Sequence, residues 1–278
     1  MKVIKFGDRD MDFCRPLVMG ILNVTPDSFY DGGKYLSEVR LIERIHRIVE
    51  EGADIIDVGA YSTRPGAAFV DEKEEIGRLS LAVELIRKYY PRALVSIDTF
   101  RAKVAEEIIT CLGPVMVNDI SGGTMDEGMF EYVAKAGVPY VLMHIQGTPQ
   151  TMQKNPVYGD VVQEVRDFFV ERIARLNGLG FDNIVLDPGF GFGKTLEHNY
   201  KLMNGMDSYS ELGYPLLVGI SRKSMIYKLL GGTPDDALNG TTVLNTIALM
   251  KGAAILRVHD VKEAVEVVRI YCAGNDEW

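Results

Sequence analysis

The sequence predicts an α/β chain folded as a single closed (β/α)8 (TIM) barrel with an N-terminal β-hairpin covering its bottom. Three observations carry that expectation. Eight short apolar runs recur along the chain, each followed by residues at helical spacing. The runs lack polar alternation along their length, as parallel strands buried on both faces do. Eight such units in about 250 residues is the size at which a parallel sheet closes on itself. An open, doubly wound sheet is the alternative, but no G-x-G-x-x-G follows the first run.

Residues Met1 to Phe13 alternate apolar and polar side chains like a hairpin and lack the apolar region of a signal peptide. Leu17 to Val24 is apolar and partly β-branched, so it reads as a buried strand. It ends near Asn23, and the stretch from Thr25 to Gly33 is too rich in Asp, Pro and Gly to extend the strand or form a helix. Ala53 to Ala60 is the second strand, followed by a loop over Tyr61 to Phe69 and a helix over Asp71 to Tyr90. Ala93 to Thr99 leads to a helix over Arg101 to Cys111, and Pro114 to Ser121 to a helix from about Asp126. Pro139 to Ile145 precedes a long polar loop and a helix over Asp160 to Leu176. Asn183 to Gly189, Pro215 to Ser221 and Ala253 to His259 complete the eight, and Met225 to Leu230 is helical. No linker or composition shift divides the chain. It reads as one domain over 1–278 with a short polar tail, Gly274 to Trp278.

At 278 residues and 47% hydrophobic, the chain can bury a full core. No apolar run approaches the ~18–20 residues of a membrane span. Cys14, Cys111 and Cys272 are odd in number and widely spaced, which indicates neither a disulfide framework nor a zinc site and fits a reducing cytoplasm. The net charge of −9 argues against a nucleic-acid surface. It also means that an anionic ligand needs a locally positive pocket.

Barrels of this kind carry their sites at the C-terminal ends of the strands. In order, those ends hold Asn23; Ser62, Thr63 and Arg64; Asp98; Asn118 and Asp119; His144 and Gln146; Asp187; Ser221 to Ser224; and Arg257 and His259. One polar strand end is ordinary. Eight on one rim point to a shared site, because each buried polar group needs a partner. Asp98, Asn118 and Asp187, with Lys223 as a donor, suit a small planar heterocycle bearing N–H groups. Lys223 also reads as an ion-pair partner of Asp187. Arg64, Arg257 and His259, with Asn23 and Thr63, form a cationic zone suited to a phosphate or diphosphate. A divalent ion on Asn23 and the substrate's own oxygens fits such a zone. Ser224 reads either as a helix cap or as part of an anion site. The run Asp187 to Lys194 does not match a phosphate loop. Its glycines read as a close turn, with Phe192 as a wall.

The motifs GILNVTPDSFYDGG, DVGAYSTRPG, SIDT, VNDISGG, LDPGFGFGK, GISRKS and RVHD, in this order on successive strands, resemble those of the dihydropteroate synthase family. The resemblance runs from about Pro16 to Ile270. It implies an enzyme of folate synthesis that joins 6-hydroxymethyl-7,8-dihydropterin diphosphate to 4-aminobenzoate, releases diphosphate, uses Mg²⁺ and is the target of sulfonamides. It also implies a homodimer. Carried over, the pterin pocket is Asp98, Asn118, Asp187 and Lys223, and the diphosphate site is Asn23, Thr63, Arg257 and His259, with Asn23 on the metal. The aminobenzoate lies near Phe29, Arg64 and Pro65 with its carboxylate at Ser224. Lys223, Arg257 and His259 are taken as catalytic, together with Asp31 on the first loop. The rival readings are a pterin-dependent methyltransferase domain and a non-catalytic pterin-binding protein.

Overall fold

The computed structural model describes residues 2–24, 34–61 and 70–274. Strands β1 (Ile4–Phe6) and β2 (Arg9–Met11) pair antiparallel as a hairpin. The next eight strands are parallel: β3 (Leu17–Asn23), β4 (Ile55–Gly59), β5 (Leu94–Asp98), β6 (Met116–Asp119), β7 (Tyr140–Met143), β8 (Ile184–Asp187), β9 (Leu216–Val218) and β10 (Ala253–Val258). They close in the order β10-β3-β4-β5-β6-β7-β8-β9. Around them lie α1 (Lys34–Glu50), α2 (Glu72–Tyr89), α3 (Ala102–Leu112), α4 (Met129–Ala136), α5 (Val161–Gly178), α6 (Leu196–Gly205), α7 (Ser224–Leu230), α8 (Leu238–Met250) and α9 (Val261–Gly274). The expected barrel and hairpin are both present.

The strands look uniformly apolar because each face meets a different apolar environment. Outward residues such as Val18, Leu22, Ile56, Val58, Val117, Leu142 and Leu256 pack with the buried stripes of the helices. Inward residues follow the two-residue period of a strand. Leu17, Met19, Ile55, Met116, Val141, Val185, Leu217 and Ile255 fill the lower barrel with Ile4, Phe6 and Met11 of the hairpin. Continuing up the same inward rows gives Asn23 beside Gly59, Gly59 beside Asp98 and Asp98 beside Asn118. Asp187 follows Val185 and Arg257 follows Ile255 in the same way. On these inward rows polarity begins mid-strand, at Asp57 and Ser96, and continues to the top, while the outward row carries the buried Asp119 on β6.

Close approach is built in where a side chain would obstruct it. A Cβ on Gly20 would lie 2.7 Å from Ile48 Cγ2 and 3.0 Å from Val261 Cγ2, so this glycine lets α1 and α9 press onto β3. Among the boundaries that differ from expectation are two helix starts. The helix placed from Asp126 begins at Met129, because Asp126 is used as a cap: its Oδ2 accepts from the Ala102 N–H at 2.7 Å and its Oδ1 from Gly128 at 2.9 Å. Arg101 precedes α3 without a side-chain cap of its own, so a distant carboxylate supplies one. The helix placed at Met225 starts one residue earlier, at Ser224.

The hairpin closes the lower core, since Phe6 is only 2% exposed. Phe6→Ala should therefore cost about 3–5 kcal/mol, as buried aromatic truncations do. Urea unfolding measures this, and a loss below about 1 kcal/mol would mean the hairpin merely rests on the surface.

Candidate active site

The upper layer of the barrel holds a buried guanidinium between two carboxylates. Arg257 Nε donates to Asp57 Oδ2 at 2.7 Å, and its NH2 donates to Asp98 Oδ2 at 3.0 Å. Asn118 Nδ2 donates to the same Asp57 oxygen at 3.2 Å. Asp57 is fully buried, and its Oδ1 has no partner among the described residues. Gly219 stands beside Arg257 (a Cβ there would lie 3.7 Å from the arginine Cβ), which leaves room for the long side chain. Arg257 was grouped with the cationic zone; in the structure it belongs equally to the acidic floor.

Burial raises the Asp98 carboxyl to about 7, Arg257 opposes that rise, and Asp57 adds to it. Its sign matters for stability. The folded state holds a proton that the unfolded state releases, so this contribution is full below about pH 4 and is lost as pH rises through about 7. Arg257 lies above its ordinary range: burial works against the charged form, but Asp57 and Asp98 outweigh it.

Asp187 sits across the layer. Burial raises its carboxyl, with Lys223 and the Gly189 N–H, which donates to its Oδ1 at 2.8 Å, acting the other way. Lys223 does not close a direct ion pair with Asp187. Its Nζ donates to the Phe190 carbonyl and stands 4.3 Å from the centroid of the Phe192 ring. Burial lowers this ammonium to about 8, with Asp187 resisting. The glycines of this segment form the close turn the sequence suggested, pressed against neighbouring protein atoms. A Cβ on Gly189 would be 1.9 Å from the His144 carbonyl oxygen, one on Gly193 2.5 Å from that of Gln146, and one on Gly191 3.1 Å from Lys223 Cδ. Phe192 packs with Phe100, Ile120, Met143, Ile145 and Met152 in an apolar patch beside the polar floor.

The remaining strand ends divide. Asn23 is half-buried, with its Oδ1 above Gly59, and makes no side-chain hydrogen bond to a described residue. His259 Nδ1 lies 3.1 Å from Ser221 Oγ, which also accepts from the His259 N–H. Burial, with the Arg257 guanidinium next, lowers His259 to about 4. It is therefore neutral at pH 7 rather than one of the cations of the second zone. Ser224 does not cap α7, because the cap position is Lys223 and no side chain bonds there. Arg222, at φ 55°, turns outward to a two-pronged ion pair with Asp260. Asp119 and Gln146 are structural: Asp119 accepts from Ser121, Gly123 and the Tyr140 hydroxyl, and Gln146 exchanges two hydrogen bonds with the Val157 backbone. Phe29, Asp31, Ser62, Thr63, Arg64 and Pro65 lie outside the described residues.

Three buried charges were missed by sequence reasoning. Asp57 sits mid-strand, two residues below the rim, and only its inward parity with Gly59 marked it. Lys194, in a glycine-rich turn, was dismissed with the phosphate loop. Its Nζ contacts His144 Nδ1 at 3.0 Å, and burial lowers it to about 7. Glu75 lies on α2 and pairs with Arg101 and the Thr99 hydroxyl. Arg101 also donates to the Val70 carbonyl at 3.1 Å, at one edge of the 62–69 segment. A charged residue in a helix read as amphipathic gave no signal.

Removing the charge of Asp57 should bring Asp98 down from about 7, since a neighbouring anion no longer opposes its ionisation. Carboxyl ¹³C titration of Asp57→Asn against the parent tests this. An unchanged midpoint would assign the whole shift to burial.

With this geometry in view, likeness to known proteins becomes specific. A family model described as pterin binding enzyme matches residues 19–259. The dihydropteroate synthase of Escherichia coli K12 is 46% identical over 272 residues, covering 97% of this chain and 95% of that protein. The Yersinia pestis dihydropteroate synthase, solved with a sulfonamide drug, aligns at TM-score 0.91 and 41% identity over 99% of this chain and 100% of that one. That of Xanthomonas albilineans, solved with 7,8-dihydropteroate, aligns at TM-score 0.88 and 35% identity over 99% of each chain. The chain belongs to the pterin binding enzyme family, and within it to the dihydropteroate synthases.

Proposed function

We propose that the barrel mouth condenses 6-hydroxymethyl-7,8-dihydropterin diphosphate with 4-aminobenzoate, giving 7,8-dihydropteroate and diphosphate. The observation that carries this reading is the acceptor set of the upper layer. Asp98, Asn118 and Asp187 stand on three strands around Arg257 and Lys223 above a wholly apolar layer. A flat ring with several N–H donors and one carbonyl satisfies such a set, and few other small molecules do.

In this assignment Asp98, Asn118 and Asp187 accept the pterin N–H groups and Lys223 donates to the ring. Arg257, held by Asp57 and Asp98, faces the diphosphate with His259, Asn23 and Thr63. His259 is neutral in the free enzyme, so it donates one N–H and gains charge only as the phosphate approaches. Phe192 walls the pterin ring, and Phe29, Arg64 and Pro65 border the aminobenzoate, with Ser224 at its carboxylate and Asp31 on the covering loop. The C–O bond between the pterin methylene and diphosphate breaks, and its electron pair leaves with the diphosphate. The aromatic amine then donates its lone pair to the methylene carbon and loses one proton. A neutral amine suffices as nucleophile, so no strong base is required.

Asn23 is the described residue that would hold a Mg²⁺. Its half-buried amide oxygen fits an ion carried mainly by substrate phosphates and water, and no group of three or more His, Cys, Asp or Glu among the described residues cages one. When bound, such an ion supplies charge neutralisation on the departing diphosphate. The homodimer reading is supported by exposed apolar side chains on the last three helices, among them Leu230, Val243, Met250 and Ile270. No helix among the described residues is long and apolar enough to cross a membrane, which is compatible with the cytoplasmic reading.

The deciding experiment is diphosphate release from the pterin diphosphate with Mg²⁺, with and without 4-aminobenzoate. Aminobenzoate-dependent release with formation of dihydropteroate is expected. Absent release together with binding of a methylated folate would favour the methyltransferase reading instead. Asp187→Asn should weaken pterin binding by about 1.5–3 kcal/mol, the range for a hydrogen bond to a charged acceptor; unchanged affinity in calorimetry would remove Asp187 from the pocket. Since the carboxylate of Asp98 offers N–H groups two acceptor oxygens where the acid turns one into a donor, pterin binding should favour the ionised form, release a proton between about pH 6 and 7 and weaken as pH falls below about 7. Calorimetry in buffers of different ionisation enthalpy reads that proton directly, and a zero count would exclude Asp98 as an ionised acceptor.

A further inference from the structure

We propose that Lys194 is a positioning residue for the reaction: its buried ammonium fastens the Gly189–Gly193 turn to the end of β7 and thereby fixes the carbonyl that holds Lys223. The inference rests on the reading of the pterin site given above. Lys194 is only 3% exposed and lies below the turn. Its Nζ meets three acceptors: His144 Nδ1 at 3.0 Å, the Gly189 carbonyl at 2.9 Å and the Phe192 carbonyl at 3.1 Å. An ammonium has three N–H donors and no acceptor, so in the charged form of Lys194, which prevails below about pH 7, donors and acceptors match one for one. The match also assigns the imidazole. His144 is buried, and against the charged form of Lys194 its Nδ1 accepts, which puts its proton on Nε2.

Lys194 is not at the ligand, yet it joins the two halves of what touches the ligand. One of its acceptors, Gly189, also donates its N–H to Asp187. Phe192, whose carbonyl it holds, places its ring under Lys223, and Phe190 between them presents its carbonyl to the Lys223 ammonium. The turn is pressed against β7 so closely that neither Gly189, at φ +68°, nor Gly193, at φ +60°, has room for a Cβ. An apolar side chain at 194 takes the donor from the Phe192 carbonyl and from one imidazole nitrogen and leaves the Gly189 carbonyl with the Phe192 N–H alone, and the turn relaxes toward water. Asp187 and Lys223 then lose their shared reference point. A lysine that served stability alone would not couple to ligand affinity.

The test uses the full chain. ¹⁵N spectra of the parent protein recorded below about pH 7, where Lys194 is charged, should show His144 as the Nε2–H form with an accepting Nδ1. A proton on Nδ1 overturns the proposal without any variant. In Lys194→Met the Nδ1 signal should shift and the pterin dissociation constant should rise about tenfold, equivalent to about 1.4 kcal/mol. KM for the pterin diphosphate should rise in parallel while kcat falls by less than about threefold. Val133→Ala, a core truncation on α4, supplies the comparator: it should lower stability and leave pterin affinity unchanged. Lys194→Met binding pterin within about twofold of the parent, or a loss in Val133→Ala equal to that in Lys194→Met, overturns the proposal. If the parent itself released no diphosphate with aminobenzoate, the reading of the reaction would fail, while the pterin dissociation constants would still decide the role of Lys194.

Discussion

One guanidinium between two buried carboxylates conditions the rest of the site. Asp57 and Asp98 stand on neighbouring strands with inward side chains, and without Arg257 from β10 their charges would repel in a layer that water scarcely enters. With it, Asp57 is spoken for by Arg257 and Asn118, while Asp98 keeps a carboxyl poised near neutrality. A poised acceptor is costly to hold in the empty protein at neutral pH and is relieved by a donor that arrives from outside. In the proposed reading the residues that reduce stability are the ones that hold the ligand, the exchange expected of a functional site.

A second network faces the first across the barrel and follows the same logic with the signs reversed. Lys223 and Lys194 are buried ammonium groups whose pKa values fall, and both are held by backbone carbonyls of one turn rather than by direct carboxylate contacts. Asp187 lies between the networks and steadies both lysines. Glycines at 189, 191 and 193 make this compact, because each occupies a positive-φ position against another part of the site. The pocket is thus a frame of fixed charges whose positions are set from below.

The order of layers explains why the frame tolerates so much charge. The lower barrel is packed by Met19, Ile55, Met116, Val141 and Ile255 and sealed by the hairpin, so the polar layer rests on a dry, rigid floor. Rigidity there limits how far Asp57 or Asn118 can turn away from its partner. The apolar patch of Phe100, Ile120, Met143, Ile145 and Met152 then borders the upper layer on one side, the kind of surface an aromatic ring can pack against.

Much of this was written in the sequence. The eight apolar runs, their spacing and the polar residue at each end determined the barrel, and ordered motifs at those ends located Asp98, Asn118, Asp187, Lys223, Arg257 and His259, because strand parity and the direction of a parallel sheet bring all strand ends to one rim. Tertiary structure alone decided what each charge does there. Asp57 and Lys194 lie off the rim, where local pattern cannot separate a buried charge from a surface one. Arg257 became part of the acidic floor, His259 became neutral, and Lys223 chose a carbonyl over Asp187. The physical reason is that partners in these pairs are far apart in sequence, as Arg257 and Asp57 are by 200 positions, and burial assigns charge only after the chain has closed around them.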